Sequence, residues 1–236
     1  MPKQILGNLT QGVLEKLGVD IVRGSYGPND KFPTESELSA QFGISRSILR
    51  EAVKMLTAKG LLSARPRQGT RIETENRWNL LDPDVLRWML ERKFTLELLL
   101  EFTEVRFAIE PAAAAMAAVK HTEETLAPIR DAIEGMKAVQ YGHADPLEVD
   151  IQFHVAVLRA SDNRFFIELE GLIETALRIS MRLTHQLKAA ANVADHKKVL
   201  DAIEERNPEK AHAAMSDVIH EVMDLISVAR EAKKVQ

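Results

Sequence analysis

The chain has 236 residues, enough for two domains that each bury a core, with 31 Lys/Arg against 35 Asp/Glu and no cysteine. The lack of cysteine excludes disulfides and thiolate metal sites, leaving histidine and carboxylate as the only strong metal ligands, and it suits a reducing cytoplasm. No stretch approaches the roughly 20 uninterrupted apolar residues of a membrane span, and Met1-Pro2-Lys3-Gln4 opens no apolar signal region, so a soluble, cytoplasmic protein is expected. Charge is unevenly spread: residues 1–76 hold 11 Lys/Arg against 8 Asp/Glu, and the remainder 20 against 27. A basic head on an acidic body suits a module that meets phosphates.

Leu9, Val13, Leu17 and Ile21 recur at four-residue spacing and predict a first helix, ended by Gly24 and the turn-forming run 26–29. Thr34 with Glu37 three residues later forms a capping box ahead of Leu38 and Phe42, predicting a short second helix that Gly43 breaks. Ser45 then caps a third helix running to about Lys59. Two short helices around a glycine turn read as a helix-turn-helix. On the third helix Arg46, Arg50 and Lys54 share one stripe, well separated from Leu49, Ala52, Val53 and Leu56. Ser45, Arg46 and Ser47 stand in its first turn, where amides and hydroxyls hold phosphate and an arginine reaches the acceptors of guanine. Segments 61–64 and 70–72 predict two strands around Arg65-Pro66-Arg67-Gln68-Gly69, a basic hairpin wing. An isolated arginine stripe is more simply a solvated face. The ordered series of caps, turn, cationic helix and basic hairpin favours DNA.

Those residues carry a specific likeness. Phe32-Pro33-Thr34-Glu35-Ser36-Glu37-Leu38, Phe42-Gly43-Ile44-Ser45-Arg46, Leu49-Arg50-Glu51-Ala52 and Gly60-Leu61-Leu62 resemble the winged helix-turn-helix of the GntR family of bacterial transcription regulators. The resemblance implies that Arg46 and Arg50 read bases and phosphates, helped by Ser45 and Ser47, with Arg67 and Gly69 contributing from the wing. The family often has Arg where this chain has Ser36, and Gly-x-Gly where it has Arg67-Gln68-Gly69, which either stiffens the wing tip or adds an arginine for the minor groove.

Residues 77–84, overlapping the aperiodic run 73–83, are expected to link a DNA-binding domain over 1–76 to a second domain over 85–236. Helical patterns follow over 95–119, 122–140, 146–160, 165–187, 193–205 and 208–231, predicting an all-α antiparallel bundle of six to seven helices. The whole is therefore expected to be mostly α, with three helices and a small β-hairpin in the first domain.

Within the bundle, Asp150 and His154 lie four apart and project from one helix face, able to chelate one ion. With His196 and His220 they make a three-histidine, one-carboxylate set for a divalent cation, Zn²⁺ with Ni²⁺ or Mn²⁺ as alternatives, leaving positions for water or ligand. His121, His143, His185 and His212 read as ordinary core or surface residues. Residues 95–231 resemble the FCD ligand-binding domain of the FadR-type branch, which implies that metal set. Glu104-Val105-Arg106 and Glu110-Pro111-Ala112-Ala113-Ala114 extend the likeness, implying that Arg106 clamps a carboxylate effector. Arg178 and Arg182, four apart on a long helix, are further effector candidates, and the Ala112 to Ala118 run reads as close helix packing. The segment 78–88 resembles the post-wing segment of sugar-acid-responsive members, which implies a sugar acid such as galactonate.

The expected protein is a homodimeric repressor on a palindromic double-stranded DNA operator of a carbohydrate or organic-acid catabolic operon, with a small carboxylate as effector. The rival is a metal-dependent hydrolase using the same His/Asp set. No positioned general base is identifiable in the sequence, and a hydrolase gives no reason for a cationic third helix.

Overall fold

The computed structural model describes residues 2–27, 32–65, 69–92, 95–139, 141–186 and 192–234. The chain divides into two compact units, Met1–Lys93 and Phe94–Gln236.

The first unit comprises α1 (Pro2–Val22), α2 (Glu35–Phe42), α3 (Arg46–Ala58), the strands β1 (Leu62–Arg65) and β2 (Gly69–Ile72), a 3-10 turn over Glu75–Arg77 and α4 (Pro83–Arg92). The expected capping box is present: the Thr34 amide donates to Glu37 Oε2 at 2.7 Å and the Glu37 amide to Thr34 Oγ1 at 3.3 Å. Gly43 closes α2 in the left-handed region at φ 63°, a conformation that costs glycine least. Ser45 Oγ then accepts from the Ile48 amide to start α3. The strands pair antiparallel with Leu62 opposite Ile72 and Arg65 opposite Gly69. Val13, Leu14, Leu17 and Ile21 of α1 meet Leu49, Ala52 and Leu56 of α3 in one core. Leu9, expected on that face, is 45% exposed, so the buried stripe begins only at Val13.

This unit extends past the 76 residues expected of it. Residues 77–84 do not hang free, and α4 is a fourth helix whose packing the sequence reading missed. Trp88 is buried in the core with Trp78, Val85 and Met89. Glu15 of α1 accepts both Arg87 guanidinium nitrogens, at 2.6 and 2.8 Å, and Trp88 Nε1 at 2.9 Å. At the end of α3, Lys59 Nζ sits 2.8 Å from Asp82 Oδ1 and 2.9 Å from Asp84 Oδ2. Burial alone would lower the Lys59 pKa, yet these two carboxylates hold it above its ordinary value.

The second unit is a helical bundle: α5 (Leu96–Lys120), α6 (Glu123–Val139), α7 (Pro146–Ala160), α8 (Arg164–Ile167), α9 (Glu170–Gln186), α10 (Val193–Glu204) and α11 (Pro208–Lys234). Its core joins Ala113, Ala114, Ala117 and Ala118 of α5 to Phe153 and Val157 of α7, Val199 and Ile203 of α10, and Met215 and Ile219 of α11. The alanines are fully buried, as close packing requires, and α5 pairs most extensively with α11. The pattern expected as one helix over 165–187 is two, because the chain turns at Glu168 and Leu169 and restarts at Glu170, which Arg159 of α7 holds through bonds of 2.7 and 2.8 Å. Among the described residues no helix is long and apolar enough to cross a membrane.

Gly18 gives the sharpest test of how α4 docks. A Cβ built there would lie 2.5 Å from Trp88 ring carbons. Alanine gains about 0.8–1 kcal/mol of helix propensity over glycine, whereas overpacking a core costs about 1–3 kcal/mol. Gly18→Ala is therefore expected to lower the urea or thermal midpoint of the first unit. A raised midpoint would show that the indole does not rest on α1.

Candidate metal centre and DNA-reading helix

The exposed side of α3 presents a row of polar and cationic groups. Ser45, Arg46, Ser47, Arg50 and Lys54 are all exposed, while Ile48, Leu49, Ala52 and Leu56 are buried. Ser45 Oγ and Ser47 Oγ lie 2.9 Å apart at the helix start. Arg46 Nη2 donates to Ser36 Oγ at 3.4 Å, so the hydroxyl that stands where the family often has arginine engages Arg46. Arg50 forks onto Glu35 at 3.4 and 3.0 Å. Glu35 in turn is held below the ordinary carboxylate range, chiefly by that hydrogen bond. An exposed pair of this kind is weak in water, so it holds the guanidinium only loosely. Gly69 opens β2 at φ 77°. Arg67 lies outside the described residues.

In the bundle, Asp150, His154 and His196 come together, all buried, with one ligand atom from each within 4.8 Å of the others. Asp145 starts α7 by accepting from the Leu147 amide, with Pro146 in the first turn, and the helix carries Asp150 and His154 inward on one face. Asn192 caps α10 and places His196 in its first turn. Asp150 Oδ1 is 3.2 Å from His196 Nε2 and 3.8 Å from His154 Nε2. Four ligands around Zn²⁺ at about 2.0–2.1 Å stand roughly 3.3 Å apart, so these separations need little closing.

The donor chemistry fits a cation. His196 Nδ1 lies 2.9 Å from the Asn192 carbonyl, which can only accept, so in the neutral ring the proton is on Nδ1 and Nε2 carries a lone pair. That lone pair faces the Asp150 carboxylate without the alignment of a hydrogen bond, and Nε2 is a buried nitrogen with no hydrogen-bond partner. Two acceptors face each other in a buried setting, an arrangement that a proton or a metal ion relieves. Burial alone would raise the Asp150 pKa and lower that of His196; their mutual attraction, with the His154 ring acting also on Asp150, reverses both directions.

Beside this group lies Arg106, 2% exposed. Its Nε donates to Glu110 Oε1 at 2.6 Å, and its Nη2 is 3.3 Å from His154 Nε2. Glu110 also contacts His154 Nδ1 through Oε2. Burial would raise the Glu110 carboxyl, but Arg106 and His154 outweigh it and bring it down to about 2. Sequence reasoning did not single out Glu110; the Arg106-x-x-x-Glu110 spacing, one helical turn, was the available signal.

The structure does not bring every expected residue to this place. His220 is exposed and outside the group, its Nδ1 3.1 Å from the Ser216 carbonyl and its ring edge-on to Phe107. Arg178 is 40% exposed in its side chain and engaged by Glu148 and Glu174. The side chain of Arg182 lies outside those described.

The profile described as "Bacterial regulatory proteins, gntR family" matches residues 9–72, and that of the FCD domain matches residues 101–221. The chain is 34% identical over 215 residues to the galactonate operon transcriptional repressor of Escherichia coli (strain K12), covering 90% of this chain and 94% of that protein. It is 35% identical over 170 residues to the uncharacterized HTH-type transcriptional regulator YieP of the same strain, covering 71% and 74%. Among solved structures, Streptococcus agalactiae GntR aligns with a TM-score of 0.50 at 25% identity, over 91% of this chain and 99% of that one. The metal-dependent hydrolase alternative receives no support from these relatives. With the capped recognition helix, the wing and the helical domain matched in order, the chain belongs to the GntR family of bacterial transcription regulators, as a member carrying an FCD domain.

Proposed function

We propose that the protein is a metal-assisted sensor of a small carboxylate that represses a sugar-acid or organic-acid catabolic operon. The observation that carries this reading is the buried Asp150, His154 and His196 group with Arg106 beside it. Two imidazoles and one carboxylate suit a borderline cation, Zn²⁺ before Ni²⁺ or Mn²⁺. The ion would supply a Lewis-acidic anchor for ligand oxygens. Arg106 supplies a planar donor fork for a carboxylate, and His220, on the neighbouring α11, is the proposed fourth ligand after a change of side-chain rotamer. The relative that represses a galactonate operon supports a hydroxylated acid as the effector, galactonate first. Arg178, held by two carboxylates, is a lesser effector contact.

On the DNA side, Ser45, Arg46, Ser47 and Arg50 are the proposed readers, with Arg67 and Gly69 at the wing. A homodimer would place two such helices on the half-sites of a palindromic operator, and effector binding would change their spacing. With DNA sites obtained by in vitro selection, Arg46→Ala is expected to cost about 1–3 kcal/mol and to relax preference at one base pair. Arg50→Ala is expected to weaken all sequences alike and to reduce the salt slope by about 1. Unchanged binding by both variants would remove α3 from the interface.

The sensing half is tested by a thermal-shift panel of sugar acids and simpler hydroxy acids, with and without chelator. A stabilisation of about 2.7 kcal/mol is expected at a ligand concentration 100 times Kd, and it should vanish on metal removal. Stabilisation that survives chelation would place the acid away from the metal group.

A further inference from the structure

Glu110 touches both halves of the sensing site. It lies one helical turn after Arg106 on α5 and is 1% exposed. Its Oε1 accepts from Arg106 Nε at 2.6 Å, and its Oε2 contacts His154 Nδ1. A carboxylate paired with a guanidinium offers only acceptors, so Nδ1 is the donor and keeps the proton of the neutral imidazole. Nε2 then carries the lone pair on the side of Asp150 and His196, the only nitrogen of the ring able to take an ion. The ring is held from behind by one carboxylate and faces the second across the candidate metal position.

We propose that Glu110 is the positioning residue of this centre, fixing His154 with Nε2 presented to the ion and tying that ligand to Arg106 through the same carboxylate. The inference rests on the reading of Asp150, His154 and His196 as metal ligands. Arg106 Nη2 lies between the two ring nitrogens, 3.5 Å from His154 Nδ1 and 3.3 Å from Nε2, off the Nε2 lone-pair axis, which leaves that lone pair open to the ion.

The test combines Zn²⁺ titration against a chromophoric chelator with imidazole ¹⁵N–¹H spectra of the metal-free chain at mildly alkaline pH. The wild-type chain is expected to load Zn²⁺, and Glu110→Gln to bind it about 10- to 100-fold more weakly. The metal-free wild type is expected to show His154 protonated on Nδ1 alone. No Zn²⁺ uptake by the wild type would sink the ligand assignment itself. If the wild type loads and Glu110→Gln matches it, or if His154 carries a proton on Nε2, the role of Glu110 is overturned while the ligand assignment stands. Should Glu110→Gln fail to fold, the protonation pattern of the wild-type chain decides.

Discussion

A charge taken out of water must find its partner inside the protein, and the sensing unit is arranged around that requirement. Arg106, Glu110, Asp150, His154 and His196 are all buried within one helical bundle. Desolvating each ionised group costs several kcal/mol, and the loss is offset only where partners are close and hydrogen-bonded. Arg106 and Glu110 satisfy one another directly, and Glu110 also satisfies His154. Asp150 and His196 do so incompletely, since His196 Nε2 faces the carboxylate without a hydrogen bond. The shortfall sits where three ligand atoms converge. A bundle that needed only stability would fill this volume with apolar side chains, as it does elsewhere in its core. Five ionisable groups are retained there instead, which is what the proposed binding function would require.

The DNA-reading unit answers a different demand. Its recognition helix keeps cations exposed yet partnered, by Ser36 and Glu35 of α2 for Arg46 and Arg50 and by Glu51 one turn away for Lys54. These contacts are exposed and weak in water. The rigidity comes from beneath, where Leu49, Ala52 and Leu56 pack on α1, and α1 is in turn clasped to α4 by Glu15, Arg87 and Trp88.

Local signals in the sequence were good guides where the structure is locally determined. The reciprocal Thr34 and Glu37 bonds, the left-handed Gly43 and the Ser45 cap depend on neighbours within a few positions, and each formed as read. The paired Asp150 and His154 followed from helical spacing alone. Features set by distant contacts were not legible. The packing of α4 depends on Trp88 meeting the bare surface of Gly18, seventy residues earlier in the chain, and no periodicity announces that. The split between α8 and α9 falls at Glu168 and Leu169, neither of them a helix breaker, so the helical pattern runs through it undisturbed. Glu110 was hidden for a related reason. An acidic residue on a helix ordinarily reads as a solvated face, and only the arrival of His154 from α7 makes it part of a site.

In the proposed function, metal and acid held at Asp150 control what the residues of α3 do on DNA. Operator affinity, followed by fluorescence anisotropy on a selected site while a sugar acid is titrated, tests it most directly in Zn²⁺-loaded wild type and Asp150→Asn. The account predicts that the acid changes wild-type affinity by about 5- to 150-fold, the usual span of allosteric coupling, and leaves the affinity of Asp150→Asn unmoved. An equal response in the two proteins would contradict it.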